Sequence, residues 1–141
     1  MSVNVPGTTT PPKYRLRFFF DYGAGGCLWA DNEATYAAFG YGPLDDIIAD
    51  KTCQLSAETL DLARQLDMRH ADYYNKDYPP DPSLWRQDEC DQFNLQVDEL
   101  IIRLRRELSA DFEIIDRQER YQEDEHLDEY LKDPKNFRRS N

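Results

Sequence analysis

The chain has 141 residues, long enough for one domain that buries roughly two-thirds of the surface its unfolded form exposes. Its 28 acidic residues against 17 Lys and Arg leave a net charge of -11, which argues against nucleic-acid and anionic-membrane partners, since both present phosphate that Lys and Arg must meet. A protein with a basic surface is the natural complement, and electrostatic steering toward it weakens with salt.

Residues 1–12 are Thr, Pro and Gly with little to bury, and read as a flexible leader. From Tyr14 to Asp21 the alternation of Tyr14, Leu16, Phe18 and Phe20 with Arg15, Arg17, Phe19 and Asp21 predicts a half-buried strand. The glycine run Gly23 to Gly26 turns the chain, and Cys27 to Ala30 reads as the returning strand of a hairpin. The run fits neither phosphate-loop pattern and no base follows it within the next twenty residues or so, so a turn is its expected use. Asp31 or Asn32 caps a short helix through Phe39, which Gly40, Gly42 and Pro43 end. Leu44 to Leu55 reads as irregular, with Asp45, Asp46 and Asp50 placed around a buried Ile47-Ile48 anchor.

Ser56 predicts the start of a helix of about five turns carrying Leu60, Ala63, Leu66, His70 and Tyr73 or Tyr74. Tyr78-Pro79-Pro80-Asp81-Pro82 is a stiff connector, with Asp81 expected to cap the next helix and Pro82 to open it. That helix has the strongest pattern in the chain, with Cys90, Phe93, Val97, Leu100, Ile101, Leu104 and Leu108 on one stripe. Phe112 to Asp116 reads as a last strand. The expected fold is α+β, a small antiparallel sheet packed against two long antiparallel helices, within a single domain over residues 13–117. Residues 118–141 are acidic and polar, and are expected to form a marginal helix or a disordered tail.

Nothing in the sequence has the spacing of a catalytic centre. His70 leans inward on a helix and His126 lies in the acidic tail. Cys27 follows the glycine turn but has no base beside it to lower its pKa, and is expected to be inert. Cys27, Cys53 and Cys90 form no C-x-x-C pair, and the acid-rich stretches lack the alternating spacing of a calcium loop, so neither a metal nor another cofactor is predicted. No basic n-region or long apolar run is present, which leads us to expect a cytoplasmic protein.

Protein contact remains. Between Phe18 and Asp50 the chain has no Lys or Arg but six acids and eight aromatics. Tyr73, Tyr74, Tyr78 and Trp85 cluster with Asp77 and Asp81 about the proline connector, as contact anchors or as pins for the helical pair. The partner-binding residues expected from these patterns are Asp45, Asp46, Asp50, Tyr73, Asp77 and Tyr78.

The runs Phe20-Asp21-Tyr22-Gly23 to Cys27-Leu28-Trp29-Ala30, Phe39-Gly40-Tyr41, and Tyr78-Pro79-Pro80-Asp81-Pro82 with Trp85 resemble a group of small acidic bacterial proteins over roughly residues 14–117. Proteins of that kind resemble the immunity proteins of polymorphic toxin systems. The resemblance implies a non-enzymatic inhibitor that occludes a cognate toxin with an acidic, aromatic face; it brings no catalytic residue. The alternative is a non-enzymatic adaptor or regulatory module that binds a non-toxin protein, with the acidic tail as one candidate contact.

Overall fold

The structure, a computed structural model, describes residues 11–137. All but Pro11 and Pro12 of the expected leader, and residues 138–141 of the expected tail, lie outside the described residues. Three strands and five α-helices follow in the order β1 (Tyr14–Phe18), β2 (Leu28–Ala30), α1 (Glu33–Phe39), α2 (Asp45–Thr52), α3 (Ala57–Tyr73), α4 (Gln87–Glu107), β3 (Phe112–Asp116) and α5 (Leu127–Lys132). The α+β class is as expected.

Alternation in β1 buries Leu16 and Phe18, and the antiparallel pairing Phe18↔Leu28 and Leu16↔Ala30 puts two further buried residues of β2 on the same face. Ladder pairing ends before Asp21 because the Phe20 amide leaves the sheet and bonds the Gln118 Oε1 at 2.8 Å. The sheet is mixed rather than all antiparallel. After α4 the chain re-enters beside the start of β1, so β3 runs parallel to it with Tyr14 opposite Phe112, giving the order β2-β1-β3.

Both outer edges are covered. On β2, the Leu44 amide donates to the Leu28 carbonyl at 2.8 Å while Asp45 accepts from the Leu28 amide at 2.9 Å. On β3, the Arg105 guanidinium donates to the Ile114 carbonyl at 2.8 Å.

Residues 45–52 are helical where irregular chain was expected. Leu44 and Ile48, four apart, point inward, and Asp45 and Asp46 occupy the first turn, where the helix dipole favours acids. Ile47 therefore faces solvent, so only one member of the isoleucine pair is an anchor. Ser56 caps α3 as expected, accepting from the Thr59 amide at 3.1 Å.

Helix α4 starts at Gln87, not at Pro82. Asp81 does not cap it; the Asp81 amide closes a turn onto the Tyr78 carbonyl at 2.9 Å, and the Glu89 carboxylate takes the Arg86 amide at the true helix start. The stripe of α4 is buried from Cys90 to Leu104 and packs on α3 and β3. Glu107 ties the two helices, accepting from the Ser56 amide at 2.7 Å and the Thr59 hydroxyl at 2.5 Å.

Packing does not stop at residue 117. Gln118, Tyr121, Leu127 and Tyr130 are buried, and the Asn94 side chain makes a reciprocal pair with the Tyr121 backbone at 2.8 and 2.9 Å. Gln87 and Glu123 exchange a similar pair, and Arg120 bridges Asp98 and Asp116. Residues 120–123 are thus strapped along α4, Asp128 pairs with Arg86 at its start, and the short helix α5 buries Leu127 and Tyr130.

Candidate protein-docking surface

The surface is built where α3 ends. Asn75, nearly fully buried, accepts the amides of Asp77 and Tyr78 at 3.0 and 3.2 Å through Oδ1 and donates to the Pro82 carbonyl at 2.9 Å through Nδ2. One side chain therefore staples both arms of the connector. With the Tyr78-to-Asp81 turn closed and two prolines fixing φ, the loop is stiff, and it holds Tyr78, Pro79 and Pro80 in solvent.

Aromatic packing sets the ground beneath it. Tyr74 meets Tyr22, Tyr73 and His70 edge-on, each at 5.6 Å between ring centroids, and carries the exposed Tyr22 from the glycine turn to the connector. Two clefts flank the Tyr74, Asn75 and Pro79 ridge. One, of about 390 Å³, lies against Tyr22 and Lys76; the other, of about 350 Å³, lies against Tyr73, Pro80, Asp81 and Asp124.

The residues expected to bind a partner divide between two places. Asp77 and Tyr78 are exposed on the connector. Asp46 and Asp50 are exposed on α2, where Asp46 pairs with Arg64 at 3.1 Å. Arg64 precedes Tyr74 by ten positions on α3, a rise of about 15 Å, so the two groups are neighbours along one helix rather than a single cluster.

Asp45 and Tyr73 hold the protein itself together. The Asp45 carboxylate accepts the Cys27 and Leu28 amides at 3.1 and 2.9 Å and takes the Cys27 thiol at 3.3 Å. Tyr73 stacks on Tyr121 at 3.9 Å and meets Trp85 edge-on, leaving one side to the second cleft. Trp85 is buried and acts as a pin; Tyr78 does not.

Burial, and then Asp45, push the Cys27 thiol well above its ordinary pKa, so it stays protonated. Burial and the neighbouring Asp45 charge also raise the half-buried Asp67 carboxyl. His70 lies among Phe20, Phe93, Tyr74 and Tyr121, with Nε2 3.1 Å from the Tyr121 hydroxyl and no hydrogen-bond partner for Nδ1 among the described residues. Burial lowers its pKa, with Asp21 acting weakly the other way.

A histidine kept neutral in the fold makes stability depend on pH. Above about pH 6.5, the unfolded value, its contribution is fully present; below that the unfolded chain takes up the proton more readily and stability falls, by at most about 1.4 kcal/mol per pH unit. Denaturant melts at pH 7 and pH 5.5 are expected to show this loss, and His70→Phe to flatten it. An equal slope in the variant contradicts the assignment.

Among the described residues, no group of three or more His, Cys, Asp or Glu is placed to hold a metal ion, and no helix is long and apolar enough to cross a membrane. Sequence reasoning missed Asn75, Tyr22 and the buried role of Tyr121. An Asn just past a helix and ahead of a proline run is an available signal for Asn75, because its side chain readily bonds the amides two and three residues on. No family model, no curated protein and no solved structure matches the chain.

Proposed function

We propose that this protein is a cytoplasmic, non-enzymatic immunity-type inhibitor that binds a cognate bacterial toxin and covers its active site or substrate surface. The pair of clefts about the stiff, tyrosine- and proline-lined connector is the observation that carries this reading. Exposed tyrosines on a pre-ordered loop bury area at small entropic cost, and the surplus of acids steers a basic surface toward them. The protonated Cys27 and the enclosed His70 favour binding over chemistry. An adaptor that works through a free acidic tail loses support, since Gln118, Tyr121, Leu127 and Tyr130 of that segment are buried.

Co-expression with the product of the adjoining upstream reading frame tests the proposal. Restored growth, and a complex that weakens steeply between low and high salt, are expected. The triple substitution Asp46→Lys, Asp50→Lys and Asp77→Lys uses three exposed acids, of which Asp46 gives up its surface pair with Arg64; with a folded variant verified by its melting curve, it should slow association more than tenfold at low salt. A failure of the unsubstituted chain both to restore growth and to bind the toxin candidate would sink the reading.

A further inference from the structure

We propose that the cleft between Tyr74 and Asp81 is a receptor for one arginine side chain of the bound protein. The identity of that partner rests on the reading above; the chemistry of the cleft does not. It is lined by Tyr73, Tyr74, Pro79 and Pro80, with Asp81 and Asp124 among its polar residues. Asp124 also accepts the His126 amide at 2.8 Å, so the receptor relies on the Asp81 carboxylate.

A guanidinium suits that lining in two ways at once. Its flat, weakly hydrated face stacks on tyrosine and proline rings, and its edge presents paired N–H donors that match a carboxylate. A lysine ammonium offers a point charge without the planar match. The sister cleft across Tyr74 is lined by Lys76 and, among the described residues, by no acidic one, so it offers a guanidinium no carboxylate to pair with. The two clefts therefore differ in kind: one takes a cation, and the Tyr22 side takes an apolar neighbour. Asn75 lines both and holds the ridge between them, so both are shaped before a partner arrives.

The test titrates N-acetyl-argininamide into the full-length, 15N-labelled chain at low ionic strength, with N-acetyl-citrullinamide as the uncharged isostere. Saturable amide shifts are expected at Tyr74, Asn75, Asp81 and Ser83 with arginine and not with citrulline. Asp81→Asn should weaken binding about fivefold, the effect of losing one charge-assisted contact. The Asp81 side chain holds no internal bond among those described for the connector, so an unchanged melting temperature in the variant confirms that its fold is intact. Equal shifts with citrulline, arginine shifts confined to α2 with the cleft unmoved, or unchanged affinity in Asp81→Asn overturn the proposal. Growth rescue without arginine binding in the cleft would overturn this inference alone. Arginine binding without rescue would support the cleft and count against the toxin reading.

Discussion

Asp45→Ala is expected to lower stability by about 2–4 kcal/mol, since it strips the acceptor from two amides at the sheet edge, each costing about 1–3 kcal/mol when left bare. The carboxylate caps the Cys27 and Leu28 amides, and the adjoining Leu44 amide donates to the Leu28 carbonyl, so the first turn of α2 stands in for a fourth strand along β2. The glycine turn is cut to fit this contact. A Cβ on Gly26 would come within 2.6 Å of the Pro43 Cβ and 3.0 Å of the Asp45 Oδ1, so the loop and the helix start close on each other only with glycine there. Asp45→Asn retains one acceptor oxygen and should cost less than alanine. Chemical denaturation measures both, and a loss below about 0.5 kcal/mol for alanine would contradict the capping role. Charge reversal at Asp45 consequently reports on folding and not on partner electrostatics.

Ending the chain after Arg117 is expected to cost more than about 4 kcal/mol and to abolish a single cooperative transition. The truncation removes Tyr121, a buried aromatic whose replacement by alanine alone should cost about 3–5 kcal/mol. Tyr121 contacts Tyr73, His70, Trp85 and Phe93. Gln118 goes with it, leaving the Phe20 amide without its acceptor. Leu127 and Tyr130, buried further along, are lost as well. Melting curves of the truncated chain and of Tyr121→Ala provide the check; a truncated protein that melts within a few degrees of the full one would show the segment to be dispensable. Deleting residues 118–141 therefore cannot separate a tail-mediated adaptor from a face-mediated inhibitor, because it disturbs the wall of the second cleft.

Elements with a strong internal pattern were legible in the sequence. The apolar stripe of α4, the Ser56 cap of α3, the cap of α1 at Asp31 or Asn32, which the fold resolves to Asn32, and the five residues of β3 all emerge from periodicity and capping chemistry. Features that depend on distant partners were not. Helix α2 buries only Ile48, too little for a periodic signal, and owes its place to a carboxylate meeting a sheet edge. Residues 118–137 read as a tail because their few apolar groups are separated by acids; side-chain amides of α4 supply the pairing that a strand would otherwise provide. Of the candidate site, the connector and its tyrosines were visible from local composition. The division of the acids between internal caps and free surface was not, since Asp45 and Asp46 are neighbours in sequence and differ only in what the fold brings to them.

The most direct test of the central claim is the dissociation constant of the purified complex with the toxin candidate, measured at two salt concentrations for the unsubstituted chain and for Tyr78→Ala combined with Asp81→Asn. Both positions lie on the connector, and Tyr78 is 58% exposed. The account predicts tight binding that weakens with salt and a loss of at least tenfold in the double variant, with melting unchanged. Full affinity in a folded double variant would place the contact elsewhere and contradict the proposed docking surface.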